Sequence, residues 1–175
     1  MDDRPSPMPC LPDCSVRIRA HQISIPAIYF DGASPADMTG CGAWIKLSGS
    51  ERYNICWNGG PGTNNKAKIM ALWGGLLIAH DMQLQGVSIY GDSQLIINWV
   101  TNSYLMMTPH LQGWIERTQS LWKRLGCPSI NHIYREGNTR ANKLSKKGLV
   151  EDFGIMRVSH FLDGRQIEAF TFPIP

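Results

Sequence analysis

The hydrophobic pattern of this chain changes period near residue 63, and few folds accommodate that change. Three short strand-like runs come first: Ile25-Pro-Ala-Ile-Tyr-Phe30, Gly42-Ala-Trp-Ile-Lys-Leu47 and Arg52-Tyr-Asn-Ile-Cys-Trp57. Gly49 and Ser50 separate the second from the third, as in a hairpin. Thr63-Asn64-Asn65 then reads as a helix start, because short polar side chains can accept from the exposed N–H groups there. Ile69, Leu72, Leu76 and Ala79 follow at helical spacing. Gly74 and Gly75 each cost such a helix roughly 0.5–1 kcal/mol relative to Ala, so they are expected to mark close packing on a sheet. Gly86 closes that segment. Beyond it, strands and helices alternate. Val87-Ser-Ile-Tyr90 and Ser129-Ile-Asn-His-Ile-Tyr134 read as strands; helices are expected from Ser93 to Val100, from Pro109 onward, and from Thr139 to Leu149. The order is β-β-β-α-β-α-α-β-α. It predicts an α/β fold with a mixed five-stranded sheet flanked by helices.

The 175 residues suit one domain of about 140–150 residues with short flanks. Residues 1–22, with Pro5, Pro7, Pro9 and Pro12, read as a disordered tail. The domain is placed at 23–150, and 151–175 reads as a C-terminal extension with strand-like pieces at Met156-Arg-Val158 and Ala169-Phe-Thr-Phe172. No apolar run reaches the roughly 18–20 residues of a membrane span, so no membrane partner is expected. The N-terminus lacks the apolar core of a signal peptide. Five cysteines without framework spacing suit reduced thiols, and Cys10 and Cys14 alone make no zinc site. An intracellular protein of nucleus or cytoplasm is expected. The net charge of +3 says little about partners, but its distribution says more. Arg117, Lys123, Arg124, Arg135, Arg140, Lys143, Lys146 and Lys147 fall late in the chain, opposed there only by Glu116 and Glu136. That asymmetry fits phosphate contact, and it fits a solvated helix face equally well.

Asp31 ends the first strand and Asp92 the fourth, each followed by a small residue. At the strand ends of a mixed sheet two such side chains can converge on one site. Paired carboxylates repel, and magnesium, which takes oxygen ligands, relieves that repulsion. Each Asp can instead simply cap the turn that follows it.

Four segments then carry a resemblance. Tyr29-Phe-Asp31-Gly-Ala-Ser34, Gly62-Thr-Asn-Asn65, Tyr90-Gly-Asp92-Ser-Gln94 and His132-Ile-Tyr-Arg-Glu-Gly-Asn138 resemble, in order and spacing, the ribonuclease H family. The flavour is that of domains from plant gypsy-type retrotransposons, to which residues 143–149 and Phe161-Leu-Asp-Gly164 are also similar. The resemblance covers about residues 25–150. It implies a magnesium-dependent RNA–DNA hybrid ribonuclease with four acidic metal ligands. Two of these match Asp31 and Asp92; the other two positions hold Lys68 and Asn142. It further implies that Thr63, Asn64 and Asn65 lie near a nucleic-acid backbone and Gln94 near a minor groove. A helix cap for Asn64 and a solvated surface for Gln94 account for those residues equally well.

An amide keeps an oxygen for a metal but lacks the charge that holds one, and an ammonium opposes a cation outright. Lys68 can point inward and satisfy Asp31 and Asp92 itself, or carry its charge out to solvent on its long stem. The family's mobile loop His is missing here, where the loop reads Arg135-Glu-Gly-Asn138. The expectation is therefore a degenerate, catalytically impaired ribonuclease H-like domain that retains binding of an RNA/DNA hybrid or other nucleic acid. The alternatives are an active magnesium-dependent hybrid ribonuclease with an altered site, and a recruited interaction module with a protein partner.

Overall fold

The computed structural model describes residues 25–101 and 109–174. The Pro-rich tail, Cys10 and Cys14 lie outside the described residues. Strands β1 (Ala27–Ala33), β2 (Met38–Lys46) and β3 (Glu51–Pro61) form an antiparallel meander. β4 (Ser88–Gly91) pairs with β1 in parallel, and β5 (Ile130–His132) pairs with β4 in parallel. These five strands follow the order predicted from sequence.

The sheet has seven strands rather than five. β6 (Ile155–Leu162) and β7 (Arg165–Pro173) form a hairpin that adds antiparallel to β3, giving the order β5-β4-β1-β2-β3-β6-β7. The strand-like pieces seen within 151–175 are thus members of the sheet. Hydrophobic burial holds them there: Met156 and Val158 are fully buried, paired in register with Trp57 and Ile55. The hairpin also covers the ladder groups of β3, which would otherwise face solvent as an open edge.

Helix α1 (Asn64–Asp81) lies against one face, with α2 (Gln94–Thr101) and α3 (Gln112–Arg124) beyond it; α4 (Thr139–Gly148) packs on the opposite face. α1 is buried on every side from Ile69 to Ala79, since sheet and α3 enclose it. Gly74 and Gly75 meet their expectation. A Cβ at Gly75 would stand 2.8 Å from Ile28 Cγ2, and one at Gly74 would stand 3.1 Å from Met156 Cε. No helix among the described residues is long and apolar enough to cross a membrane.

Candidate active site

The site forms where β1 and β4 end side by side and two helices, one from each face of the sheet, approach them closely. Asp31 is buried in β1, and Asp92 directly follows β4. Two glycines set the approach. A Cβ on Gly32 would lie 2.3 Å from the carbonyl carbon of Ala67, so α1 rests directly on the end of β1 and brings Lys68 to Asp31. Gly42 is the cross-strand partner of Asp31, and its Cβ would lie 2.3 Å from the Ser145 nitrogen. That contact seats α4 and brings Asn142 to the other side of Asp31. In both cases the obstacle is backbone, which cannot swing aside. Gly32→Ala is therefore expected to destabilise the fold by about 3 kcal/mol, the upper end for overpacking, as read from its urea midpoint.

Lys68 settles inward. Its Nζ lies 3.3 Å from Asp92 Oδ1 and 3.7 Å from Asp31 Oδ1, with 17% of its side chain exposed against 4–5% for the two aspartates. Asn142 Nδ2 donates to Asp31 Oδ2 at 3.1 Å, and the Gly32 backbone N–H donates to Asp31 Oδ1 at 2.8 Å. Each Asp31 oxygen therefore already accepts a hydrogen bond. Asn138, which opens α4, is buried; its Nδ2 donates to the Phe30 carbonyl at 3.0 Å and its own carbonyl accepts from the Asn142 N–H. It anchors the helix that presents Asn142. Sequence reasoning noted Asn138 only as part of a motif.

Burial pushes the Asp31 carboxyl above the usual carboxylate range; the Asn142 hydrogen bond pulls it down, the Asp92 charge raises it, and the Gly32 N–H and Lys68 lower it. Its folded value lies above its unfolded one. Ionising Asp31 thus works against the folded state, and the penalty shrinks as pH falls below the folded value and is gone below the unfolded one. An NMR titration of the Asp31 carboxyl is expected to show a raised midpoint that moves higher still in Lys68→Met.

The donor set does not suit magnesium. That ion takes hard oxygen ligands, and here an ammonium fills the gap between the two carboxylates while the amide turns its N–H toward Asp31. Among the described residues no group of three or more His, Cys, Asp or Glu is placed to hold a metal ion.

The residues expected near a nucleic-acid backbone, Thr63, Asn64 and Asn65, stand at the start of α1, and Gln94, expected near a minor groove, stands at the start of α2. Thr63 caps α1, its hydroxyl accepting from the Lys66 N–H at 3.2 Å. Asn64 Oδ1 accepts from the Ser34 N–H at 2.8 Å, which ties the loop after β1 to α1. Asn65 is half-buried beside it. Gln94 is exposed and donates to Asn98 Oδ1 at 2.9 Å along α2.

An antiparallel meander continued by two parallel strands, with aspartates at the ends of two adjacent parallel strands, β1 and β4, and a helix on each side of them, is a ribonuclease H fold. The chain belongs to the ribonuclease H family: the family model described as reverse transcriptase-like matches residues 33–148. It is 32% identical over 126 residues to ribonuclease HI of Halobacterium salinarum, covering 69% of this chain and 62% of that protein. It is 28% identical over 134 residues to the uncharacterized protein YpeP of Bacillus subtilis, covering 72% of this chain and 59% of the other. The chain thus spans about three fifths of the length of these curated relatives. Among solved structures, the Halobacterium salinarum enzyme superposes with a TM-score of 0.56 at 27% identity, over 72% of this chain and 98% of that one. A ribonuclease H domain from Mycobacterium tuberculosis, at 22% identity, shares the fold with a TM-score of 0.62 over 72% of this chain and 99% of its own.

Proposed function

We propose that this protein is a non-cleaving ribonuclease H-like domain that binds nucleic acid, with an RNA–DNA hybrid as its preferred ligand. One observation carries the first half: Lys68 Nζ stands between Asp31 and Asp92, where the family's chemistry calls for a cation. A fixed ammonium neutralises the two carboxylates but cannot activate a water or accept a leaving oxygen as a metal does. In this reading Asn142 holds Asp31 in place instead of ligating. Magnesium then has no role, and the chain works without a cofactor.

The second half rests on the residues at the starts of α1 and α2. The described contacts of Thr63, Asn64 and Gln94 each use only part of their hydrogen-bonding capacity, so their remaining groups can meet phosphate or a 2′-OH. A solved ribonuclease H1 at 22% identity, which shares this fold, is in complex with an RNA/DNA hybrid. The similarity of residues 143–149 to plant gypsy-type domains supports an origin in a retroelement.

Fluorescence anisotropy with matched duplexes tests this. The protein is expected to bind a hybrid more tightly than DNA of the same sequence, equally in magnesium and in EDTA. Asn64→Ala with Asn65→Ala should remove the preference. Absent binding would favour a protein-interaction role; binding abolished by EDTA would contradict the metal-free reading.

A further inference from the structure

The sheet face that carries α4 holds a second constellation, which the cleft does not use. Tyr90, Tyr29 and Trp44 are register partners on β4, β1 and β2, so their side chains form one row. Tyr29 stacks on Trp44 at 4.5 Å between centroids and on Tyr90 at 5.0 Å. Arg140, in the first turn of α4, lies over the Trp44 ring at 4.6 Å. Tyr29 and Arg140 thus both pack on the Trp44 ring. One strand further out, Arg52 lies over Phe161, its cross-strand partner, at 4.3 Å. A guanidinium over a ring is held there by cation–π attraction and still carries N–H donors for a further partner.

Two concavities, of about 320 and 220 Å³, meet at Trp44 and Arg140. The first runs along Thr139 and Lys143, the second along Lys46, the turn at 48–50 and Arg52. Glu51 also borders the second, but alternation along β3 turns its carboxylate to the other face, where His160 Nε2 lies 3.1 Å away. Among the described residues none of Lys46, Arg52, Arg140 and Lys143 has an ion-pair partner. The Arg52 Nε atom is buried without a hydrogen-bond partner. Burial first, and then the Arg140 charge, lower the Arg52 pKa, as expected of cations held together without a counter-charge.

Four such cations repel one another, and an anion relieves the repulsion. Two joined hollows suit a chain of phosphates better than a single ion. Trp44 is already engaged by Tyr29 and Arg140, and the groups that frame the hollows are cations, so recognition falls on the backbone. We propose that this groove, framed by Lys46, Arg52, Arg140 and Lys143 around Trp44, holds consecutive phosphates of a nucleic-acid strand, independent of its base sequence. The inference rests on the reading that the protein binds nucleic acid. Trp44 is the diagonal cross-strand neighbour of Asp31, whose direct partner is Gly42. Such neighbours lie roughly 7–8 Å apart, so a strand passing the cleft can continue into the groove.

Lys46 and Lys143 are exposed, so Lys46→Gln with Lys143→Gln should leave the fold intact. With a labelled RNA–DNA hybrid and the full chain, the log–log salt slope of the double variant is expected to be shallower by about 0.7–0.9 for each phosphate that is no longer neutralised. In NMR titrations of the unaltered protein with the same hybrid, the arginine Nε–H signals of Arg52 and Arg140 should shift. Binding with an unchanged slope, while shifts appear only at Asn64, Asn65 and Gln94, would overturn the groove and leave the hybrid-binding reading intact. No binding by the unaltered protein would overturn both.

Discussion

Lys68→Met is expected to destabilise the protein at neutral pH by about 3 kcal/mol and to make that loss both pH-dependent and reversible by magnesium. The substitution keeps the length of the side chain and removes only the ammonium that lies 3.3 and 3.7 Å from Asp92 and Asp31. Two mostly buried carboxylates are then left without a counter-charge, and breaking a buried pair on one side costs roughly 3–5 kcal/mol. The 17% exposure of the Lys68 side chain places the effect at the lower end of that range. The sign with pH follows from Asp31, whose carboxyl is already held above the usual range, chiefly by burial, and which loses one of the charges lowering it. A carboxyl with a raised folded pKa destabilises the folded state in full above that pKa, less as pH falls below it, and not at all below its unfolded pKa. The difference from the unaltered protein should therefore be small in acid and grow as pH rises through the folded value. Millimolar magnesium should raise the melting temperature of Lys68→Met by binding only its folded state, and leave the unaltered protein unmoved. Thermal melts across pH, with and without magnesium, check all three points. A variant as stable as its parent at every pH would show that the ammonium contributes nothing to the site.

The other large effect concerns chemistry. Lys68→Glu combined with Asn142→Asp is expected to create magnesium-dependent cleavage of the RNA strand of a hybrid. The two changes shift the formal charge of the site by three units, two from Lys68 and one from Asn142. They do so on a backbone that already aims both positions at Asp31, because Gly32 and Gly42 let α1 and α4 approach it. Asn142→Asp is nearly isosteric, and Lys68 lies between the buried residues Ala67 and Ile69, which anchor its turn of α1. Either single change is expected to give on the order of 100-fold less activity, because groups that act as a unit are not additive. Hybrid cleavage assays of the two single variants and the double variant check this. A well-folded double variant without activity would mean that the missing loop histidine, or the grip at Asn64, Asn65 and Gln94, also limits the reaction.

Much of this arrangement was legible in the sequence, and the exceptions have physical causes. Asp31-Gly32 and Asp92-Ser93 could be placed at strand ends because an apolar run followed by a small residue is a local signal. The direction of Lys68 was not local: it depends on how closely α1 approaches β1, which Gly32 decides through a contact with Ala67. The hairpin of β6 and β7 was visible as strand-like pieces, but nothing nearby in the chain named β3 as its partner. Trp44 shares the sequence appearance of Trp57 and Trp73, which are buried in the core. Only the register with Tyr29 places Trp44 on the other face of the sheet, under Arg140.

In the proposed function, Lys68 stands in for the metal and leaves a protein that binds a hybrid without cutting it. Hybrid binding and hybrid cleavage, measured on one preparation of the unaltered protein in magnesium and again in manganese, test it most directly. Salt-sensitive binding, with cleavage at the background rate in both metals, is the expected result. Robust cleavage of the RNA strand that depends on either metal would contradict it.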